Sequence, residues 1–269
     1  MKKKGAPMLV KVNRINIAYD IQGTGLPVVL IHGFPLNRTI WKPQFTELSK
    51  KYQLIAPDLR GCGESQRVSK PYPMEALADD VRALVRRLNL PRFVLGGLSM
   101  GGYVALAFYR DYPQMVEALI LADSRAEADT DEAKKNRKAL AELVIKEGSR
   151  VIAEQMTPKL LGKTTLAKKP RLVKELRELI SSNSVTGIAN ASLAMAFRAD
   201  SNPLLPKITC PTLILVGEED TLTPVALSEN LHRNIKNSQL EILPGAGHLS
   251  NMENPKAFNK AVKEFLKKL

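Results

Sequence analysis

The chain has 269 residues, 44% of them hydrophobic, and carries 40 Lys plus Arg against 27 Asp plus Glu for a formal charge of +13. A chain of this length buries enough surface in one core to need no disulfide or metal staple, and no apolar run approaches the roughly 20 residues of a membrane span. The charge would suit anionic partners such as nucleic acid, but the basic residues are scattered as pairs such as Lys50-Lys51, Arg86-Arg87 and Lys134-Lys135 with no aromatic-studded stripe, so a solubilising surface is expected and no specific nucleic-acid binding.

Met1-Lys2-Lys3-Lys4 has the basic character of a signal peptide's first segment, yet Gly5-Ala6-Pro7-Met8-Leu9-Val10-Lys11 is no apolar stretch, so a cytoplasmic protein is expected. Leu9-Val10-Lys11-Val12 and Ile15-Asn16-Ile17-Ala18-Tyr19 alternate apolar and polar residues around Asn13-Arg14, the pattern of an antiparallel hairpin at a sheet edge. Apolar runs of the buried kind follow at Val28–Ile31, Leu54–Ala56, Phe93–Leu95, Ala118–Leu121 and Thr212–Val216, with a last strand at Leu240–Leu243. Met74 to Leu90 sets Leu77, Val81, Leu84, Val85 and Leu88 on one face at helical spacing, and Gly101 to Arg110 is apolar nearly all round, as a helix pressed into a sheet must be. Helices are also predicted over Pro224 to Ile235 and Pro255 to Leu269. Strands alternating with helices predict an α/β fold with a mostly parallel sheet.

The stretch 124–205 breaks the rhythm. It holds no strand candidate and fits helices at Asp131–Glu147, Ser149–Gln155, Pro170–Ser182 and Val185–Phe197. An all-helical insertion here reads as a cap over the strand ends, dividing the chain into a core of 1–123 and 206–269 and a cap of 124–205. Cys62 and Cys210 lie far apart beside predicted strands and are read as reduced, partly buried thiols.

Gly97-Leu98-Ser99-Met100-Gly101 follows a strand and opens a helix, which is the context of a nucleophile elbow. A hydroxyl held on so sharp a turn sits in a strained backbone, and the residues two positions either side must lack side chains. A serine is a poor nucleophile until a base takes its proton. Of three histidines, His248 lies in a glycine-bearing loop after the last strand, His232 sits on a helix with its face expected in solvent, and His32 follows the strand Val28–Ile31. His248 is therefore the expected base, and His32 the expected support beneath its loop. Asp220, straight after the strand Thr212–Val216, is the expected acid that orients the imidazole. Asp123 rivals it at the end of another strand, and the neighbouring Glu218 and Glu219 are expected to face solvent. The backbone amides of Met100 and Phe34 are the expected oxyanion donors. Trp41, Met156, Met195 and Phe197 are candidate substrate contacts.

His32-Gly33-Phe34-Pro35, the segment from Pro57 to Ser65, Gly97-Leu98-Ser99-Met100-Gly101-Gly102, Gly217-Glu218-Glu219-Asp220 and Gly247-His248 together resemble the motifs of the α/β-hydrolase family, most closely its serine esterase, enol-lactonase and cofactor-free perhydrolase branch. The resemblance implies an eight-stranded sheet with a helical cap and Ser99, Asp220 and His248 as a catalytic triad. It leaves the Pro57–Ser65 segment a structural turn, with no chemistry for Asp58, Arg60 or Ser65. Serine at position 99 separates the chain from the dehalogenase and epoxide hydrolase branches, which carry aspartate there. The loop His32-Gly33-Phe34-Pro35 departs from the Asn-Ser-Leu-Gly type loop of enol-lactonases. The expected activity is cleavage of small carboxylic esters through an acyl-enzyme, with no metal or cofactor, in a monomer or small homo-oligomer. Lactonase, perhydrolase or C–C cleavage chemistry is the alternative, and a non-catalytic binding protein of the same fold a remote one.

Overall fold

The computed structural model describes residues 7–269; the basic segment Met1-Lys2-Lys3-Lys4 and Gly5-Ala6, on which the reading against a signal peptide partly rests, lie outside the described residues. Strands β1 (Met8–Val12) and β2 (Ile15–Gln22) form the expected hairpin. Asn13 at φ 47 and Arg14 at φ 66 make its two-residue turn left-handed, the twist that two-residue hairpins favour. Then come β3 (Pro27–Ile31), α1 (Lys42–Leu48), β4 (Gln53–Pro57), α2 (Met74–Arg87), β5 (Phe93–Leu98), α3 (Met100–Asp111) and β6 (Val116–Ala122). The helical insertion follows: α4 (Asp131–Glu147), α5 (Ser149–Leu160), α6 (Lys163–Lys168), α7 (Pro170–Ser182) and α8 (Val185–Ala196). The chain ends with β7 (Thr212–Gly217), α9 (Val225–Asn234), β8 (Ser238–Leu243), α10 (Ser250–Glu253) and α11 (Pro255–Leu266).

The eight strands form one sheet in the order β1-β2-β4-β3-β5-β6-β7-β8, antiparallel at β1 and β2 and parallel from β4 onward. Its centre is dry: every residue of β5 and β7 is buried. The outer strand β8 is half exposed, because one edge and part of one face have no neighbour. Three helices escape the sequence reading. Short α1, α6 and α10 carry too few turns to show a period, and α5 runs on past Gln155 through Pro158. Among the described residues no helix is long and apolar enough to cross a membrane.

One feature of the strand order places the site. From β3 the chain moves outward to β4, then crosses back to lay β5 on the other side of β3. The loops leaving β3 and β5 therefore part, and a crevice opens between them at the carboxyl ends of the strands.

Candidate active site

The loop from β3 and the turn from β5 meet in that crevice. Ser99 sits at φ 54 and ψ −115, a conformation that costs a non-glycine residue of order 1–3 kcal/mol. The surroundings hold it there. Ser99 N donates to Ala122 O at 2.9 Å, and Ser124 Oγ donates to Ser99 O at 2.9 Å. The flanking glycines answer to close approach: a Cβ on Gly97 would stand 2.1 Å from Gly101 O, and one on Gly101 2.2 Å from Ile31 O.

His248 Nε2 lies 2.8 Å from Ser99 Oγ, and His248 Nδ1 lies 2.8 Å from Asp220 Oδ2. With Nδ1–H donated to the carboxylate, Nε2 presents its lone pair to the serine hydroxyl. Leu222 N and Thr223 N donate to Asp220 Oδ1 at 2.8 and 2.9 Å, and the Thr223 hydroxyl donates to Oδ2 at 2.6 Å. Burial pushes the Asp220 carboxyl up, but the facing His248 and the Thr223 donors outweigh it and hold the group below the ordinary aspartate value. Asp220 thus remains an anion facing the imidazole.

The rival acid is placed elsewhere. Asp123 Oδ1 accepts from Gly217 N at 2.9 Å, and its Oδ2 meets Ser250 Oγ at 2.6 Å and Ser250 N at 3.3 Å. It touches the loops of Asp220 and His248 rather than the imidazole. Burial first, and the nearby Asp220 charge second, raise it well above an ordinary aspartate. With a protonated carboxyl, Gly217 N–H meets the carbonyl oxygen and Oδ2–H donates to Ser250 Oγ.

Among the described residues neither Phe34 N nor Met100 N donates to a protein acceptor, and both residues line a narrow cavity. The rest of its lining includes Leu36, Cys62, Asn183 and, from α8, Ile188 and Ala191. Burial pushes the Cys62 thiol up to about 12, which keeps it a thiol rather than a competing nucleophile. The four candidate substrate contacts do not line this cavity. Trp41 is 1% exposed and packs on Phe258 with ring centroids 6.1 Å apart, while Met195 is buried and Met156 packs against the core. Phe197 stands 66% exposed under the Lys138 ammonium. Helix α8 turns Ile188 and Ala191 toward the crevice, and single-residue size and polarity carry no signal for that.

The profile of the family described as alpha/beta hydrolase fold matches residues 27–255, spanning both motif-bearing ends of the core and the insertion between them. The chain belongs to this family. It is 32% identical over 254 residues to a protein of Acinetobacter baylyi named 3-oxoadipate enol-lactonase 2, covering 94% of this chain and 93% of the relative. Among solved structures it resembles a thermophilic esterase from Thermogutta terrifontis with malate bound, at 46% identity and a TM-score of 0.93 over 97% of each chain. It also resembles the enol-lactonase of Burkholderia xenovorans, at 28% identity and a TM-score of 0.90 over 97% of this chain and 100% of that one.

In this alpha/beta hydrolase the third histidine of interest is built into the frame. His32 Nδ1–H donates to Gly33 O at 2.9 Å, and its Nε2 accepts from Leu59 N at 3.0 Å. Burial lowers its basicity below that of an ordinary histidine, against the pull of Asp58, so the ring stays neutral and serves both bonds. It pins the loop carrying Phe34 to the turn after β4. His32→Phe should leave the Leu59 N–H buried without an acceptor and cost about 1–3 kcal/mol in a urea denaturation. Asp58, fully buried, accepts from Arg38 N and Glu64 N, each at 2.8 Å, which makes the Pro57–Ser65 segment a structural turn. His232 is exposed and bonds Ser238.

Glu218 faces solvent as expected, but Glu219 does not: it accepts from Thr164 N at 2.8 Å and Thr164 Oγ1 at 2.5 Å, across to the insertion. The insertion also brings charge. Asp129 pairs with Arg125, Arg137 and Arg198, and the Arg137 guanidinium stands 6.0 Å over the Phe34 ring. Among the described residues no group of three or more His, Cys, Asp or Glu side chains is placed to hold a metal ion.

Proposed function

We propose that this chain is a serine esterase that cleaves small carboxylic esters by acyl transfer. Ser99 Oγ attacks the ester carbonyl as His248 Nε2 takes its proton, and the oxyanion forms against the amides of Phe34 and Met100. Collapse expels the alcohol, which leaves with the proton held by His248. Water then gives a proton to the same nitrogen, attacks the acyl carbon and releases the acid, and Ser99 recovers its hydrogen. Asp220 stays ionised throughout and stabilises the imidazolium. The segment 124–205 serves as the cap over this cycle.

The observation that carries the reading is the relay of two 2.8 Å contacts from Ser99 through His248 to Asp220, beside two amides that lack acceptors. The similarity to a thermophilic esterase over 97% of both chains supports ester cleavage in particular. The space beside the two amides is narrow and closed in by Leu36, Ile188 and Ala191, so short acyl groups suit it.

The test is a panel of p-nitrophenyl esters of rising acyl length, hemiesters of dicarboxylic acids and enol-lactones. Highest kcat/KM on short acyl esters is the expected result. Lactone opening is the second reading, favoured by the enol-lactonase relatives. Turnover confined to lactones would establish it and overturn ester cleavage.

A further inference from the structure

The segment that carries His248 is held by carboxyl groups outside the relay. Gly247 N and Leu249 N, the amides on either side of the base, donate to Glu253 Oε1 at 2.9 and 3.1 Å. Ser250 N reaches Asp123 as described. The second oxygen of Glu253 serves the insertion: Oε2 accepts from Gly162 N at 2.8 Å, at the residue that precedes α6. Lys169, just past the other end of α6, donates its ammonium to Glu253 O. Glu253 is fully buried.

These contacts have a physical consequence. An acceptor shared by residues 247 and 249 restrains the peptide planes on both sides of residue 248, and so the direction in which the imidazole leaves the backbone. A carboxylate buried at this depth is costly unless each oxygen is satisfied, and one of the two is satisfied only while the insertion sits in place. Gly162 allows the approach, since a Cβ there would lie 2.5 Å from Glu219 Oε2 and 2.8 Å from Gly247 N.

We infer that Glu253 is a positioning residue for His248, and that through Gly162 it makes the seating of the cap part of how the base is held. The inference rests on the serine esterase reading above and adds to it a residue that touches no substrate.

The experiment measures steady-state ester hydrolysis by Glu253→Ala and Glu253→Gln, with rates expressed per serine titrated to completion by a fluorophosphonate. The downfield proton resonance of His248 Nδ1–H is recorded alongside. A base displaced by a fraction of an ångström to an ångström loses up to about 10²-fold in rate, so Glu253→Ala should lose roughly that in kcat while KM holds. Glu253→Gln keeps one oxygen for Gly247 and Leu249 but sets an amide N–H against Gly162 N–H. It should lose about tenfold in kcat, an intermediate effect, and it carries the test if the alanine variant fails to fold. In both variants the Nδ1–H resonance should move or broaden. Wild-type kcat per titrated serine, or a lowered kcat with an unmoved resonance, overturns the positioning role. Turnover by Ser99→Ala would instead overturn the nucleophile assignment, and the inference with it; an inactive Ser99→Ala beside a fully active Glu253 variant sinks the inference alone.

Discussion

Ser99→Ala should leave a folded protein whose ester turnover falls by about 10⁶ in kcat, the loss seen when the nucleophile of such a relay is removed. The side chain makes one contact that the substitution deletes, the 2.8 Å contact to His248 Nε2. The bonds that hold the turn run through the main chain of residue 99, to Ala122 O and from Ser124 Oγ, and alanine keeps both. Circular dichroism and the melting temperature should therefore match the parent while activity and fluorophosphonate labelling vanish together. Turnover near the wild-type level in the purified variant would sink the acyl-enzyme mechanism.

Asp220→Asn and Asp123→Asn should separate by orders of magnitude, although both remove a buried carboxyl at the end of a neighbouring strand. At position 220 the amide nitrogen or oxygen must face His248 Nδ1 without charge, the tautomer that presents a lone pair to Ser99 loses its support, and kcat should drop by about 10⁴. At position 123 asparagine keeps an oxygen for Gly217 N and an N–H for Ser250 Oγ but loses the acceptor for Ser250 N, so kcat should fall far less than at position 220. The stability of the parent carries the mark of Asp123. In the native state burial keeps the group protonated above the ordinary aspartate value, whereas the unfolded chain releases that proton. The unfolded state then binds fewer protons, so stability falls as pH rises, by up to about 1.4 kcal/mol per pH unit, from the ordinary aspartate range to the raised native value. Asp123→Asn should flatten that slope in melts taken from pH 4 upward. An equal loss of kcat at both positions would refute the assignment of roles.

Much of the architecture was legible in the chain. The apolar runs of β3, β5, β6 and β7 mark buried strands because such a strand has a side chain on each face of the sheet and both faces are covered. Gly97-Leu98-Ser99-Met100-Gly101 is legible for a steric reason: Cβ atoms at the flanking positions would overlap Gly101 O and Ile31 O, so the sequence must carry glycine there. Other features left no trace. Helix α6 is six residues long, too short for a hydrophobic period to show. Glu219 reads like its exposed neighbour Glu218, and only the approach of Thr164 from a segment 55 residues away turns it inward. The candidate contacts Trp41 and Phe197 went to the core and to solvent because aromatic character says nothing about which wall a side chain faces.

By itself the sequence determined the strand and helix periods, the sharp turn at Ser99 and the small set of groups able to act as base and acid, since each depends on residues adjacent in the chain or on residue type alone. The tertiary structure decided that Asp220 rather than Asp123 meets the imidazole, that Ile188 and Ala191 rather than Met195 border the crevice, and that Glu253 holds the loop of His248. Those outcomes depend on how the loops leaving β6, β7 and β8 converge with the inserted helices. Convergence is a property of packing across the whole sheet, and no local pattern of residues records it.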